Sequence, residues 1–270
     1  MIDTTGFDFP VSCVVLDAHG YIDHTGDLDE IRPWASVTKI ITAICVLQAS
    51  DAGYFALNDT VATDPTAATS PRVSIADLLA HSSGLAPDSP RILAEPGSRR
   101  IYSSYGYNLL GTYFATKVGI NIDRWGANYL LPDLDMETTL LDGSPASAAR
   151  GSTRDMAALA GSLLRAEVLP TALDSALTAP HCPGIPGVLP GYGRQSDNSW
   201  GMGCEIRAEK QPHWTAPSAT PATFGHYGMS GSFLWVDREA DRAAVFTGKQ
   251  PFSSTHIAAW SKLNEQLLAL

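Results

Sequence analysis

The sequence predicts an α/β (α+β) protein: an antiparallel sheet flanked by helices, its strands drawn from both ends of the chain, with an all-helical insert between them. Three observations predict it. Strand-like runs with turn signals lie between Val11 and His24 and again between Trp200 and Gly248. The stretch from Leu57 to about Pro190 reads as mostly helical or irregular. Linking the first strands to that stretch is a segment, Ser36 to Ala49, that is apolar almost all round, so its helix belongs at the centre of the molecule.

In chain order, Val11 to Asp17 reads as a strand, Ala18-His19-Gly20 as a turn, and Tyr21 to His24 as the returning hairpin partner. The central helix stops at Asp51-Ala52-Gly53, where Gly53 suits a left-handed terminus. Val73 to His81 reads as a short helix, Gly106 to Lys117 as a longer one, and Arg154 to Arg165 as another with Thr153 as N-cap. Proline and glycine between Pro180 and Gly193 indicate a loop. Trp200 to Ala208, Gly231 to Asp237 and Arg242 to Gly248 read as late strands, and Ser254 to Leu270 as a closing helix. The expected organisation is a single unit, 1–270, with an α/β lobe of about 1–56 and 191–270 and a helical lobe of about 57–190.

Composition narrows the function. Apolar content of 44% and charged content of 17% are those of an ordinary globular protein. A formal net charge of −10 argues against nucleic acid as a partner, because nothing would neutralise phosphates. No apolar run approaches the roughly 20 residues that span a bilayer, so no membrane association is expected. Met1 to Asp8 lacks the basic and apolar regions of a signal peptide, which makes a cytoplasmic location the expectation. Cys13, Cys45, Cys182 and Cys204 show no Cys-x-x-Cys spacing and read as buried thiols. The His and Asp residues show no metal-ligand spacing, so no metal or other cofactor is expected.

Ser36-Val37-Thr38-Lys39 carries the chemistry. Residues three apart share a helix face, so the Lys39 amine reaches the Ser36 hydroxyl. A serine hydroxyl needs a neighbouring base to attack at neutral pH. Lysine desolvated among Ile40, Ile41, Ile44 and Val46 loses basicity toward that role. The spacing proposes an acyl-enzyme hydrolase; a helix cap followed by a solvated lysine has the same spacing.

Three further segments decide between these readings: Ala76-Asp77-Leu78-Leu79-Ala80-His81-Ser82-Ser83-Gly84-Leu85, Glu95-Pro96-Gly97 through Tyr102-Ser103-Ser104 to Gly111, and Phe224-Gly225-His226-Tyr227-Gly228-Met229 through Asp237. With Thr153-Arg154-Asp155-Met156-Ala157, they make the chain resemble the serine β-lactamase-like hydrolases: class C β-lactamases, D-alanyl-D-alanine carboxypeptidases, family VIII esterases and LACTB-type proteases. The resemblance implies a β-lactamase/transpeptidase-like fold. It implies Ser36 as the acylated nucleophile, Lys39 as its base, and Tyr102 as the hydroxyl that bridges serine and leaving group. His226 stands where relatives carry Lys or His, at the start of an edge strand, supporting a Tyr102 phenolate or contacting a substrate carboxylate. The backbone N–H groups of Ser36 and Met229 would form the oxyanion hole, and Gly228 would let the strand approach the substrate.

Two departures from the family pattern bear on substrate. Ser104 replaces the usual asparagine of Tyr-x-Asn and lacks the two-ended reach of an amide. Tyr227 stands where relatives often carry Thr and should narrow the cleft. The resemblance therefore implies a metal-independent serine hydrolase of small-molecule esters or amides, with esterase-like activity favoured. The alternatives are a D-alanyl-D-alanine carboxypeptidase or weak β-lactamase, and a silent relative that binds a ligand or partner. Monomer and homo-oligomer both remain open. Only about ten residues precede the first strand, where relatives carry a helix; the closing helix covers the sheet alone or a second subunit helps.

Four other segments have structural readings. Ser196-Asp197-Asn198 spells a class A β-lactamase motif but lies close before His226, and reads as a polar turn. His81 is expected to bond loop backbone, and Trp34 to pack. His213-Trp214 is expected in a loop, either over the site or plainly on the surface.

Overall fold

Six strands form one antiparallel sheet in the computed structural model, which describes residues 1–270. They are β1 (Val11–Asp17), β2 (Gly20–Thr25), β3 (Glu205–Ile206), β4 (Phe224–Gly228), β5 (Ser232–Asp237) and β6 (Arg242–Gly248), in the order β2-β1-β6-β5-β4-β3. Pairing of Val11 with Gly248 and Val14 with Val245 joins the first strand to the last, so the sheet is assembled from both ends of the chain. The helices are α1 (Thr38–Asp51), α2 (Ile75–Leu79), α3 (Ser104–Val118), α4 (Ile122–Trp125), α5 (Thr153–Leu164), α6 (Thr171–Thr178) and α7 (Ser254–Ala269). None is long and apolar enough to cross a membrane.

Both faces of the sheet are covered, which is why β1 and β5 are nearly continuous apolar runs and not alternating ones. Val14, Leu16, Leu234, Val236 and Val245 face the larger core with α1 and α5. Cys13, Val15, Phe233, Trp235 and Phe246 face a smaller one with Trp260, Leu263 and Leu267 of α7. Ile2, Phe7 and Phe9 of the N-terminal segment pack there beside α7.

α1 follows a 3-10 turn, Ala35–Val37, and is buried at eleven of its positions including Lys39. It ends at Ala52, with Gly53 in the left-handed region. The other elements differ from expectation where tertiary contacts outweigh local pattern. Arg72–Ser74 pairs with Thr60–Ala62, so the short helix starts only at Ile75, where the Ser74 hydroxyl caps it by accepting from Asp77 N. Ser152, not Thr153, caps α5; the Thr153 hydroxyl bonds Thr247 on β6 instead. The Pro/Gly-rich loop contains a hairpin, Gly187–Leu189 with Gly193–Gln195. The run Trp200 to Ala208 is reduced to β3, because the chain bends over 202–204, where Gly203 has φ 131°. β3 pairs with β4 only at Phe224 and Gly225, which leaves His226 to Gly228, the end of that strand, with a free edge. Cys13, Cys45 and Cys204 are buried free thiols, while Cys182 is half-buried.

Candidate active site

Ser36 sits on the 3-10 turn before α1, and its neighbours hold the turn rigidly. Trp34 N donates to Ala149 O at 2.9 Å, and its indole Nε1 donates to Gly151 O at 3.2 Å. Trp34 is fully buried and packs. Ala35 occupies the left-handed region at φ 45°, which turns the chain sharply into the nucleophile.

Lys39 Nζ lies 3.3 Å from Ser36 Oγ and 3.3 Å from Ser104 Oγ, and donates to Ala146 O at 2.8 Å. The side chain is fully buried with no carboxylate beside it, and burial pulls its amine down to about 7. Ser104, expected to touch substrate, opens α3 and faces the Lys39 amine. Ser103 beside it caps the helix, its hydroxyl accepting from Gly106 N at 3.0 Å.

Tyr102 and His226 come from distant segments and meet, the phenol oxygen 3.4 Å from His226 Nε2. His226 Nδ1 stands 2.7 Å from the Tyr227 carbonyl, which only accepts, so Nδ1 carries the proton and Nε2 the lone pair. Burial, reinforced by the Lys39 charge, pushes the imidazole down to about 3. The ring is therefore neutral and accepts from the phenol. Supporting a phenolate or a substrate carboxylate would need the protonated ring, which this environment disfavours. Burial also raises the Tyr102 phenol well above its ordinary value, and the nearby Ser36 hydroxyl opposes the rise. His81 lies tilted against Tyr102 with centroids 4.5 Å apart and accepts from Ser103 N at 3.1 Å, the backbone role expected of it.

Gly228 closes the arrangement. A Cβ there would stand 2.3 Å from the Trp34 carbonyl, so glycine allows β4 to lie against the nucleophile turn and carries the Met229 backbone alongside it. Ser36, Tyr102, His226 and Met229 line one cavity of about 60 Å³ with Trp200, Leu189 and Pro190. Tyr227 lines it too. Its ring belongs mainly to the aromatic layer under α7, 5.9 Å from Trp260, and its hydroxyl fastens the Pro190 carbonyl. A larger hollow of about 720 Å³ lies along α1 and α3 and contains none of these groups.

One lining residue carried no signal in the sequence. Glu205, on two-residue β3, lines the cavity with its side chain almost wholly buried. Its carboxylate receives Lys210 Nζ at 3.1 Å, His213 Nε2 at 2.9 Å and Trp214 Nε1 at 2.8 Å. Burial alone would raise this carboxyl, but Lys210 and His213 bring it down to about 2. His213 and Trp214 are thus buried supports, neither a cover over the site nor a surface loop. Ser196-Asp197-Asn198 is a bend outside the cavity, its Asn198 carbonyl accepting from Arg100 Nε at 2.9 Å.

The profile of one sequence family, Beta-lactamase, matches residues 14–266. The chain belongs to that family. A β-lactamase from Mycobacterium bovis is 37% identical, with a TM-score of 0.91 over 98% of this chain and 96% of that one. Two more distant structures share the fold. EstCE1, described as a hydrolase with promiscuous acyltransferase activity, is 15% identical with a TM-score of 0.76, over 95% of this chain and 94% of its own. A penicillin-binding protein homologue from Caulobacter crescentus is 15% identical with a TM-score of 0.76, over 98% and 94%. No curated protein matches the chain. The family is one of serine hydrolases related to β-lactamases and penicillin-binding proteins.

Proposed function

We propose that the protein hydrolyses small, uncharged esters through an acyl-enzyme on Ser36. Lys39 takes the hydroxyl proton as Ser36 Oγ bonds to the ester carbonyl carbon, and the N–H groups of Ser36 and Met229 receive the oxyanion. As the ester C–O bond breaks, Tyr102 gives its proton to the departing alkoxide and recovers one from Lys39. Water then attacks the acyl group. Tyr102 accepts the water proton while passing its own to Lys39, which gives it to Ser36 Oγ as the acyl C–Oγ bond breaks and the acid departs. His226 stays neutral and orients Tyr102 by accepting its phenol hydrogen bond.

The observation that carries the substrate class is the charge of the cleft. His226 is neutral, and the buried carboxylate at the wall is Glu205, so nothing along it attracts the carboxylate common to β-lactams and D-alanyl peptides. The volume agrees. About 60 Å³ is far below the several hundred Å³ of a drug-sized pocket and suits a short acyl group. A second reading, slow β-lactam turnover, is favoured by the 37% identity to the M. bovis protein described as a β-lactamase.

Intact-mass and peptide analysis after fluorophosphonate treatment tests the hydrolase. The adduct is expected on Ser36 and is lost in Ser36→Ala; an unmodified chain would point to a silent binding relative. Turnover of p-nitrophenyl acetate and butyrate should exceed that of nitrocefin, and the opposite ranking would sink the ester reading.

A further inference from the structure

We propose that Asp77, His181 and Cys182 form a zinc-binding site that joins α2 to the segment after α6. It is separate from the chemistry of Ser36, and no step above depends on it. A carboxylate oxygen, an imidazole nitrogen and a thiol sulfur lie within 4.8 Å of one another there. His181 Nε2 stands 3.2 Å from Asp77 Oδ1. The edge of a tetrahedron with metal bonds of about 2.0–2.1 Å is about 3.3 Å, so these two atoms already hold the spacing zinc requires. Sulfur has to move by about 1 Å to complete a face.

Sequence spacing hid the cluster, since Asp77 and His181 are 104 residues apart. Side chains of adjacent residues in extended chain point to opposite sides. Cys182 has φ 51°, and the chain turns there so that both neighbours face Asp77. The side chains of His181 and Asp77 are 25% and 19% exposed, reachable by an ion yet partly shielded from water.

The surroundings fix the ligands as metal sites require. Ser74 and Ser82 donate to the two Asp77 oxygens, each at 2.6 Å. Arg100 holds the carbonyls of His181 and Cys182 at 2.7 and 3.1 Å. A mixed N, S and O donor set selects zinc over magnesium or calcium. On binding, the Cys182 thiol releases its proton to solvent, His181 binds as neutral imidazole, and water completes the coordination. The ion would brace the cleft, because His181 N donates to the carbonyl of Trp200, a cavity-lining residue, at 2.8 Å.

Calorimetric titration of tag-free, metal-stripped protein with zinc tests this, with cobalt as the spectroscopic probe. The expected result is one equivalent of zinc, a rise in Tm on loading, and a sulfur-to-cobalt charge-transfer band. His181→Ala and Cys182→Ser should each weaken zinc binding about 10-fold or more, and Cys182→Ser should abolish the band. Unchanged Tm of both variants without metal would show that they fold. Absence of saturable zinc binding overturns the proposal, as would variants that bind zinc as tightly as the wild type.

Discussion

Lys39 is buried without a carboxylate beside it, and two pH effects follow if it is the base proposed above. Its amine titrates near 7 in the fold, so kcat/KM should rise with pH through about 7 and then level off. His226, near 3, stays neutral throughout and adds no limb of its own above pH 4. Lys39→Met should lower kcat/KM by about 10²–10⁴-fold, the range of general-base contributions. Stability moves in the same direction. The folded value lies below the ordinary 10.5, so between about 7 and 10.5 the unfolded chain binds more protons and stability rises with pH. Urea denaturation at pH 7 and pH 10 should show the wild type gaining stability relative to Lys39→Met as pH rises. Ser36 and Lys39 were legible because their contact is local, three residues along one helical turn. The acceptor character of His226 was not, because a backbone carbonyl brought up by the fold selects its tautomer.

At the scale of elements, the contact that shapes the site is backbone against backbone. β4 lies on the nucleophile turn at Gly228, and Gly228→Ala would drive a Cβ into the Trp34 carbonyl. The variant should lose about 1–3 kcal/mol of stability and at least ten-fold in kcat/KM, read from thermal melts and ester turnover. Ser152→Ala should cost about 1 kcal/mol by uncapping α5 without altering kcat. Elements written by continuous apolar runs, such as β1, β5, β6 and α1, were legible in the sequence. The pairings of two or three residues were not. Thr60–Ala62 with Arg72–Ser74 and the Gly187–Gln195 hairpin exist because neighbours supply their partners, while Val73 reads as the start of a helix and Pro180 to Gly193 as a loop; β3 is what remains of a longer strand expected from Trp200 to Ala208.

Across the whole molecule, the sheet separates two apolar cores, and a buried ionic cluster pins its open end. Glu205, Lys210 and His213 satisfy one another, so removing one member should cost more than replacing the set. Lys210→Met leaves the Glu205 carboxylate short of its main counter-charge and should cost about 3–5 kcal/mol in chemical denaturation. The Glu205 carboxyl is held near 2 against an ordinary 4.5, so its contribution is full above about pH 4.5 and is lost as pH falls through 2. Glu205→Gln should therefore flatten the stability profile between pH 2 and 4.5. The joining of both chain ends in one sheet was legible, since strand signals occur only there. This cluster was not, because one polar residue on a two-residue strand and two in the loop after it carry no pattern until packing excludes water from them.

The Gly187–Gln195 hairpin carries Leu189 and Pro190 into the cleft wall, yet its strands pair only with each other apart from a single bridge between Gly187 and Arg100. Under the proposed ester activity, acyl-length selectivity would rest on a segment anchored to the six-stranded sheet through side chains, with Leu189 and Tyr192 in the smaller core and Pro190 held by Tyr227. Hairpins grafted between Pro186 and Ser196 would form a directed-evolution library in which substrate scope varies while the nucleophile stays in place.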